Sequence, residues 1–538
     1  MNGYPEIRDL CRRARRNSTT SAPHEHGATG WSGCHHGPGA GVAPGCRGGA
    51  EATGGADVSA SEDESRQFAR AFRSFLEWVQ SGAAGTETNP AVALVREHVG
   101  EAGAQRSVVS HDLPVFEHVN LQVAVDAWSV QPGRTVEVHG LSMPPHFGGV
   151  TLQQLLSGDG LPPLRLAAPD LVDLPSGPGT TLACLHTALL LVRDGRGTYV
   201  VLVRGPARHE DPVIGVEVAG LEVAAAQAVH ADLARLRAEL TVYRGHVLEL
   251  AHGPAGGLSI TFADVPATPR EDVVLPEEVL RRVERHTVDV AAHREDLLAA
   301  GQHLKRGLLL YGPPGTGKTH TTRYVVGRMA GCTVFLLSGR ALHLIGQVAE
   351  MARELQPTVV VLEDVDLVAE DRGFDPGAHP VLFELLDAMD GAAADADLLF
   401  LLTTNRADLL EPALAARPGR VDVAVEIGLP DEVARRRLLE LYGRGVPLVL
   451  DEPEVEDVVR RTEGVTASFL KELLRRSVLE SLATSSPLRT VTSSHVSAAL
   501  DDLLDSGQRI TRVLLGGAPG HRADSSGGDR AVDEQVDE

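Results

Sequence analysis

The chain has 538 residues and carries 73 acidic against 50 basic side chains, a net charge of −23. That length exceeds a single core and suggests about three or four domains. The acidic balance argues against general affinity for nucleic acid or an anionic membrane surface, and no apolar run reaches the roughly 18 residues of a spanning helix.

Residues 1–60 are poor in bulky apolar groups and rich in Gly, Ala and Ser. Such a segment buries too little surface to offset its ordering entropy, so it reads as a disordered tail. Its arginines, Arg12, Arg13, Arg15 and Arg16, read as a solvated charge run, and no apolar stretch follows them to make a secretory signal. The five cysteines, Cys11, Cys34, Cys46, Cys184 and Cys332, form no C-x-x-C pair. Their odd count fits a reducing compartment and predicts a cytoplasmic location. Cys34, His35, His36 and Cys46 match no common zinc spacing.

From Ser61 the pattern changes. Phe68, Phe72, Phe75, Leu76 and Val79 recur at helical spacing, and a second helix is predicted from about Ala91 to Val99. Residues 61–263 read as a mixed α/β domain. Two apolar runs, Leu189–Val192 and Tyr199–Val203, flank Asp194-Gly195-Arg196-Gly197, which predicts a hairpin with a loop longer than two residues. Val213–Val218 reads as another strand and Leu221–Leu240 as a helix. Val247–Leu250 and Leu258–Phe262 are expected to close this domain as strands. No catalytic spacing occurs in it; His209, Glu210, Asp211 and His230 read as surface polar residues.

The segment Pro266-Ala267-Thr268-Pro269 marks a boundary. Beyond it, apolar runs alternate with helical stretches: Leu308–Tyr311, Thr333–Leu337, Thr358–Leu362, Leu398–Thr403 and Val423–Ile427. This predicts a five-stranded parallel sheet over residues 264–430, covered on both faces, with its ligand at the carboxyl ends of the strands. After Pro430 the chain turns helical. Asp431 is placed to cap the first helix, and Val455–Arg461, Ser468–Leu482 and Ser494–Leu504 follow, making a lid over residues 431–512. Residues 513–538 read as a free acidic tail.

The first strand of that sheet runs into Gly312-Pro313-Pro314-Gly315-Thr316-Gly317-Lys318-Thr319 and then a helix beginning near His320. That is the phosphate-binding G-x-x-x-x-G-K-[ST] pattern in the strand–loop–helix context it requires. Glycines admit the backbone close to an anion, and successive N–H groups with the helix N-terminus face it. Lys318 would reach the β- and γ-phosphates and the Thr319 hydroxyl would ligate Mg²⁺. Residues 312–320 are therefore the predicted nucleotide-binding set. The strand ending in Glu363-Asp364 supplies carboxylates for Mg²⁺ and for a general base. The apolar strand ending at Asn405 offers an amide to the γ-phosphate or the attacking water. Arg417 and Arg420, lying before the fifth strand, are suited to planar phosphate contact from a neighbouring subunit.

With these residues in view, the region from about 265 to 510 resembles the AAA family of ATPases. Gly312–Thr319 looks like its Walker A, Glu363-Asp364 like its Walker B, and Leu386-Asp387-Ala388-Met389-Asp390-Gly391 like its LLxxMDG stretch. Thr404-Asn405-Arg406 is similar to sensor 1, Arg417–Asp422 to the arginine-finger motif, and Thr462–Thr466 to the start of its lid motif. The resemblance implies a homo-oligomeric ring, usually a hexamer, that binds ATP and Mg²⁺, hydrolyses ATP between subunits, and remodels, unfolds or disassembles a protein. Substrate or adaptor would be met by residues 61–263. The alternative is a nucleotide-gated assembly scaffold with slow or no turnover.

The chain departs from the family pattern in three places. The acid pair runs Glu-Asp rather than Asp-Glu, which is similar to mitochondrial AAA proteins that assemble respiratory complexes; Glu363 would take the Mg²⁺ side and Asp364 the base. The pore position, usually an aromatic-hydrophobic-Gly triplet, reads Leu344-Ile345-Gly346, an aliphatic pair that can still grip a chain apolarly but lacks the ring, which leaves threading open. The lid has no clear sensor 2 Arg, and Lys471 lies nearby. No H-E-x-x-H stands anywhere in these residues, so the chain shows no zinc-protease motif.

Overall fold

The computed structural model describes residues 89–504, apart from 143–148, 159–160, 162–163, 207–212, 254–257, 367–395, 409–420, 485–486 and 488. The predicted tails, the helix around Phe68–Val79, the Cys34/Cys46 cluster and the Leu386–Gly391 stretch therefore lie outside the described residues.

The first sheet is antiparallel. Its strands are β1 (Val109–Pro114), β2 (Thr135–Ser142), β3 (Arg165–Ala167), β4 (Asp170–Gly177), β5 (Thr180–Asp194), β6 (Gly197–Arg204) and β7 (Val213–Ala219). They run in the order β1-β7-β6-β5-β2-β3, with β4 also paired to β5. Strand alternation explains why both faces are covered. Leu190 and Val192 of β5, with Tyr199, Val201 and Val203 of β6, face the helices α2 (His118–Ser129) and α4 (Val223–Glu239). Leu189 and Leu191, with Val200 and Leu202, face α1 (Pro90–Ala104) and α3 (Leu152–Ser157) on the other side. Asp194 pairs with Gly197, so the β5–β6 turn has two residues, Gly195 and Arg196. The longer loop expected from sequence is corrected: Gly197, at φ 130, begins the returning strand itself.

The second sheet contains β8 (Val247–His252), β9 (Leu258–Phe262), β10 (Arg306–Tyr311), β11 (Thr333–Ser338), β12 (Thr358–Glu363), β13 (Leu398–Thr404) and β14 (Val423–Glu426). Their order is β14-β10-β13-β12-β11-β8-β9. The sheet is thus seven-stranded rather than five-stranded. Strands β8 and β9, expected to close the first domain, belong here instead: β8 pairs in parallel with β11 and returns as the hairpin β8–β9. The expected boundary at residue 263 does not coincide with the edge of this sheet. Periodicity could not show this, because an apolar strand carries no mark of which sheet it joins.

One face of the second sheet packs on the helix α9 (Ile345–Glu354), and its core includes Phe335, Val360, Phe400 and Leu402. That same core takes in Val119, Cys184 and Tyr243, so the two sheets' units share one apolar interior. The Tyr243 hydroxyl donates to the carbonyl of Phe116 across this junction. The other face packs on α5 (Glu277–His286) and α8 (Lys318–Arg328) through Leu280, Val283, Tyr324 and Val325; the short helices α6 (Val288–Ala292) and α7 (Arg294–Ala299) lead from α5 to β10.

The C-terminal segment forms α10 (Glu432–Gly443), α11 (Glu452–Arg461), α12 (Ala467–Thr484) and α13 (Ser493–Leu504) with a small parallel pair, Leu448–Val449 and Val491–Thr492. Asp431 caps α10 by accepting from Ala434 N at 2.7 Å. Leu438, Val459, Phe469, Leu473 and Leu500 make a separate small core. Among the described residues no helix is long and apolar enough to cross a membrane.

Candidate active site at the strand ends

Strand β10 ends at Tyr311 and α8 begins at Lys318, and the six residues between them form the loop. Gly312, Gly315 and Gly317 adopt φ of 145, 79 and 110. Two of these glycines are required by space as well as by conformation. A Cβ on Gly312 would lie 2.2 Å from the carbonyl oxygen of Ile427, and one on Gly315 would lie 2.9 Å from Ser468 Oγ. The loop is therefore pressed between the end of β14 and the start of α12, and Ser468 N donates to Gly315 O at 3.1 Å. Thr316 Oγ1 ties the loop to itself by donating to Pro313 O at 2.9 Å.

Lys318 is only 6% exposed, with its ammonium donating to Gly312 O and Pro313 O at 2.8 and 2.9 Å. Burial pulls it below the ordinary lysine range, and the carboxylates of Asp364 and Asp366 act in the opposite sense. A cation held so, ringed by loop carbonyls and backbone N–H groups at a helix start, fits an incoming polyphosphate. His320, by contrast, is exposed and its Nε2 meets the carbonyl of Asp272 at 3.2 Å.

The two acids at the tip of β12 face different partners. Glu363 is hydrogen-bonded to Thr319, while burial raises its pKa. Beside this pair lies a cavity of about 250 Å³ lined also by Thr322, Arg323 and Ser338. The Thr322 hydroxyl is buried and has no hydrogen-bond partner there. A hydroxyl, a carboxylate and an orphaned hydroxyl around open space suit a hydrated divalent cation. Asp364 instead accepts from Asn405 Nδ2 at 3.3 Å. Its own N–H donates to Thr403 Oγ1 at 3.1 Å, and its φ of 52 turns it out of the strand.

The structure thus brings the 312–317 loop, Glu363, Asp364 and Asn405 to one edge. Arg417 and Arg420 lie outside the described residues. Sequence reasoning gave no site role to two groups. Asp366, the last acid of the run Glu363-Asp364-Val365-Asp366, sits behind Asn405. Thr466 and Ser468 are the lid residues that meet the loop at Gly315, whereas Lys471 is exposed. Leu344 and Ile345, the pair that left threading open, are not presented for a grip. They are 7% and 0% exposed and sit in the core beneath β11 and β12, because Ile345 opens α9 on its sheet-facing side.

Residues 308–429 match the profile of the ATPase family associated with various cellular activities (AAA). Over 270 residues the chain is 32% identical to an ATP-dependent zinc metalloprotease FtsH 1 from Sphaerobacter thermophilus, spanning 48% of this chain and 39% of that one. A chloroplastic ATP-dependent zinc metalloprotease FTSH 1 from Oryza sativa subsp. japonica is 30% identical over 269 residues, 47% of this chain and 36% of its own. The chain therefore spans well under half the length of these relatives. The solved FIGL-1 AAA domain in complex with ADP aligns with 47% of this chain and 93% of its own at 20% identity and a TM-score of 0.39, too low to bear on the site.

Proposed function

We propose, for a chain that carries an AAA ATPase domain at residues 308–429, that it binds ATP with Mg²⁺, hydrolyses it, and uses the cycle to remodel a protein as an oligomeric, hexameric ring in the cytoplasm. The observation that carries the reading is the convergence of Lys318, Glu363, Asp364 and Asn405 on one strand edge. Lys318, with the N–H groups of the loop, binds and orients the phosphates. Thr319 and Glu363 would hold the magnesium ion, which supplies positive charge to the phosphate oxygens. Asp364 takes the proton of the attacking water, and Asn405 holds that carboxylate in place. Arg417 and Arg420 of a neighbouring subunit complete the site by balancing charge on the transferring group.

Replacing Lys318 with Ala removes the one buried ammonium at the loop. Titration of a fluorescent ATP analogue should show affinity falling by roughly 100-fold. Unchanged affinity would overturn the assignment.

A nucleotide-gated scaffold is the second reading, and two observations favour it. The shared core around Tyr243, Cys184 and Phe335 ties the first sheet's unit to the sheet that carries the site, so a change at the strand ends is felt by both. The burial of Leu344 and Ile345 also leaves that aliphatic pair without exposed surface to grip a chain. Steady-state ATPase rates with and without an unfolded protein separate the readings: stimulation supports remodelling.

A further inference from the structure

The tips of β12 and β13 are joined by more than the strand ladder. Val365 N donates to Thr403 O at 3.0 Å, which brings Asp366 under Asn405. Asp366 is 6% exposed and uses one oxygen, Oδ1, to accept from both Thr404 Oγ1 at 2.9 Å and Asn405 N at 3.1 Å. On the other side of the same residue, Asn405 Nδ2 donates to Asp364 Oδ1 at 3.3 Å. Asn405 is therefore gripped twice, by its backbone from Asp366 and by its side chain toward Asp364.

Among the described residues no cation lies within ion-pair distance of Asp366, although Lys318 feels its charge, and a buried carboxylate is costly unless its hydrogen bonds are worth keeping. A turn at a strand end needs no such group, since Asp364 N already has Thr403 Oγ1. What Asp366 adds is a fixed direction for the Asn405 backbone, and with it the angle at which the carboxamide meets Asp364.

We propose that Asp366 is a positioning residue for hydrolysis: by holding Asn405 N and Thr404 Oγ1 it sets the Asn405 carboxamide against Asp364, and does not itself touch nucleotide. The inference rests on the reading that Asp364 activates water. A misplaced base slows chemistry while leaving the phosphate cradle of residues 312–319 intact.

The test uses the full chain and steady-state ATP turnover. Asp366→Ala should lower kcat by roughly 10- to 100-fold with KM for ATP changed less than about threefold. Asp366→Asn, which keeps an acceptor oxygen of the same size, should recover most of the loss. In an Asn405→Ala background, Asp366→Ala should cost little more, because both act through one contact. If the Ala chain does not fold, Thr404→Val removes one of the two donors to Asp366 and should show a smaller kcat loss at constant KM. The proposal is overturned by an unchanged kcat, by kcat and ATP affinity falling together with the melting temperature, by no recovery in the Asn variant, or by additive losses. A wild-type chain without turnover fails the ATPase reading itself, whereas active wild type with normal Asp366 variants fails this inference alone.

Discussion

At the scale of single residues, the two adjacent acids at the end of β12 are sorted by their partners. Glu363 meets the hydroxyl of Thr319 and Asp364 meets the carboxamide of Asn405. This pairing supports the Mg²⁺ side for the first and the base for the second, although the sequence order is the reverse of the usual one. Aspartate is one methylene shorter than glutamate, and among the described non-glycine residues Asp364 alone has a positive φ, 52, just past the end of the strand. Asp364→Asn keeps the shape and an acceptor for Asn405 but cannot take a proton. It should retain ATP binding while turnover falls by roughly 100-fold or more, read as bound, uncleaved ATP after gel filtration. Loss of turnover in Glu363→Gln accompanied by loss of Mg²⁺ dependence would be the matching signature. Full turnover in Asp364→Asn would move the base elsewhere.

At the scale of elements, the lid helix α12 does two jobs. Its start meets the 312–317 loop through Ser468 and Thr466, so that loop and α12 are in direct contact at Gly315. Its middle is tied by charge: Glu472 lies 2.7 Å from Arg475 and 3.0 Å from Arg476, and Arg476 also pairs with Asp502 of α13. Arg475, with Arg476 behind it, holds the Glu472 carboxyl down from 4.5 to about 2. A depressed carboxylate contributes stability that is present above its unfolded value and lost as pH falls through its folded one. The contribution should therefore disappear between about 4.5 and about 2. Because Arg475 is 61% exposed and water screens the pair, Glu472→Gln should cost only about 1 kcal/mol near neutral pH and almost nothing near pH 2. Denaturant melts of wild type and variant at two pH values measure the difference. A constant gap across pH would assign the effect to packing instead.

At the scale of the whole molecule, the sheet that carries the site extends beyond the segment matched by the AAA profile. Strand β8 covers the flank of β11, and Leu248, Leu250 and Leu258 are buried there in the core shared with Phe335 and Tyr243. A chain of residues 264–512 would lack that hairpin and leave the edge of β11 open, which invites pairing between copies. Compared with residues 241–512, it should melt roughly 10 °C lower or aggregate. Thermal melts and soluble yield of the two fragments make the comparison, and equal stability would show that the hairpin is only an appendage.

What the amino-acid sequence determined by itself was local chemistry. Gly312–Thr319 declares its loop because glycine, lysine and threonine at that spacing have few other uses after an apolar strand. Glu363, Asp364 and Asn405 are legible because polar residues at the ends of continuous apolar runs must surface there. Asp431 as a helix cap is legible for the same local reason. Tertiary structure alone decided which sheet owns Val247–Phe262, because backbone pairing between distant strands leaves no periodic trace. It alone buried Leu344 and Ile345, since an apolar pair in a loop and one at a helix start look alike in one dimension. And it alone put Asp366 beneath Asn405, 39 residues away along the chain, because two strand tips become neighbours only when the sheet between them has formed.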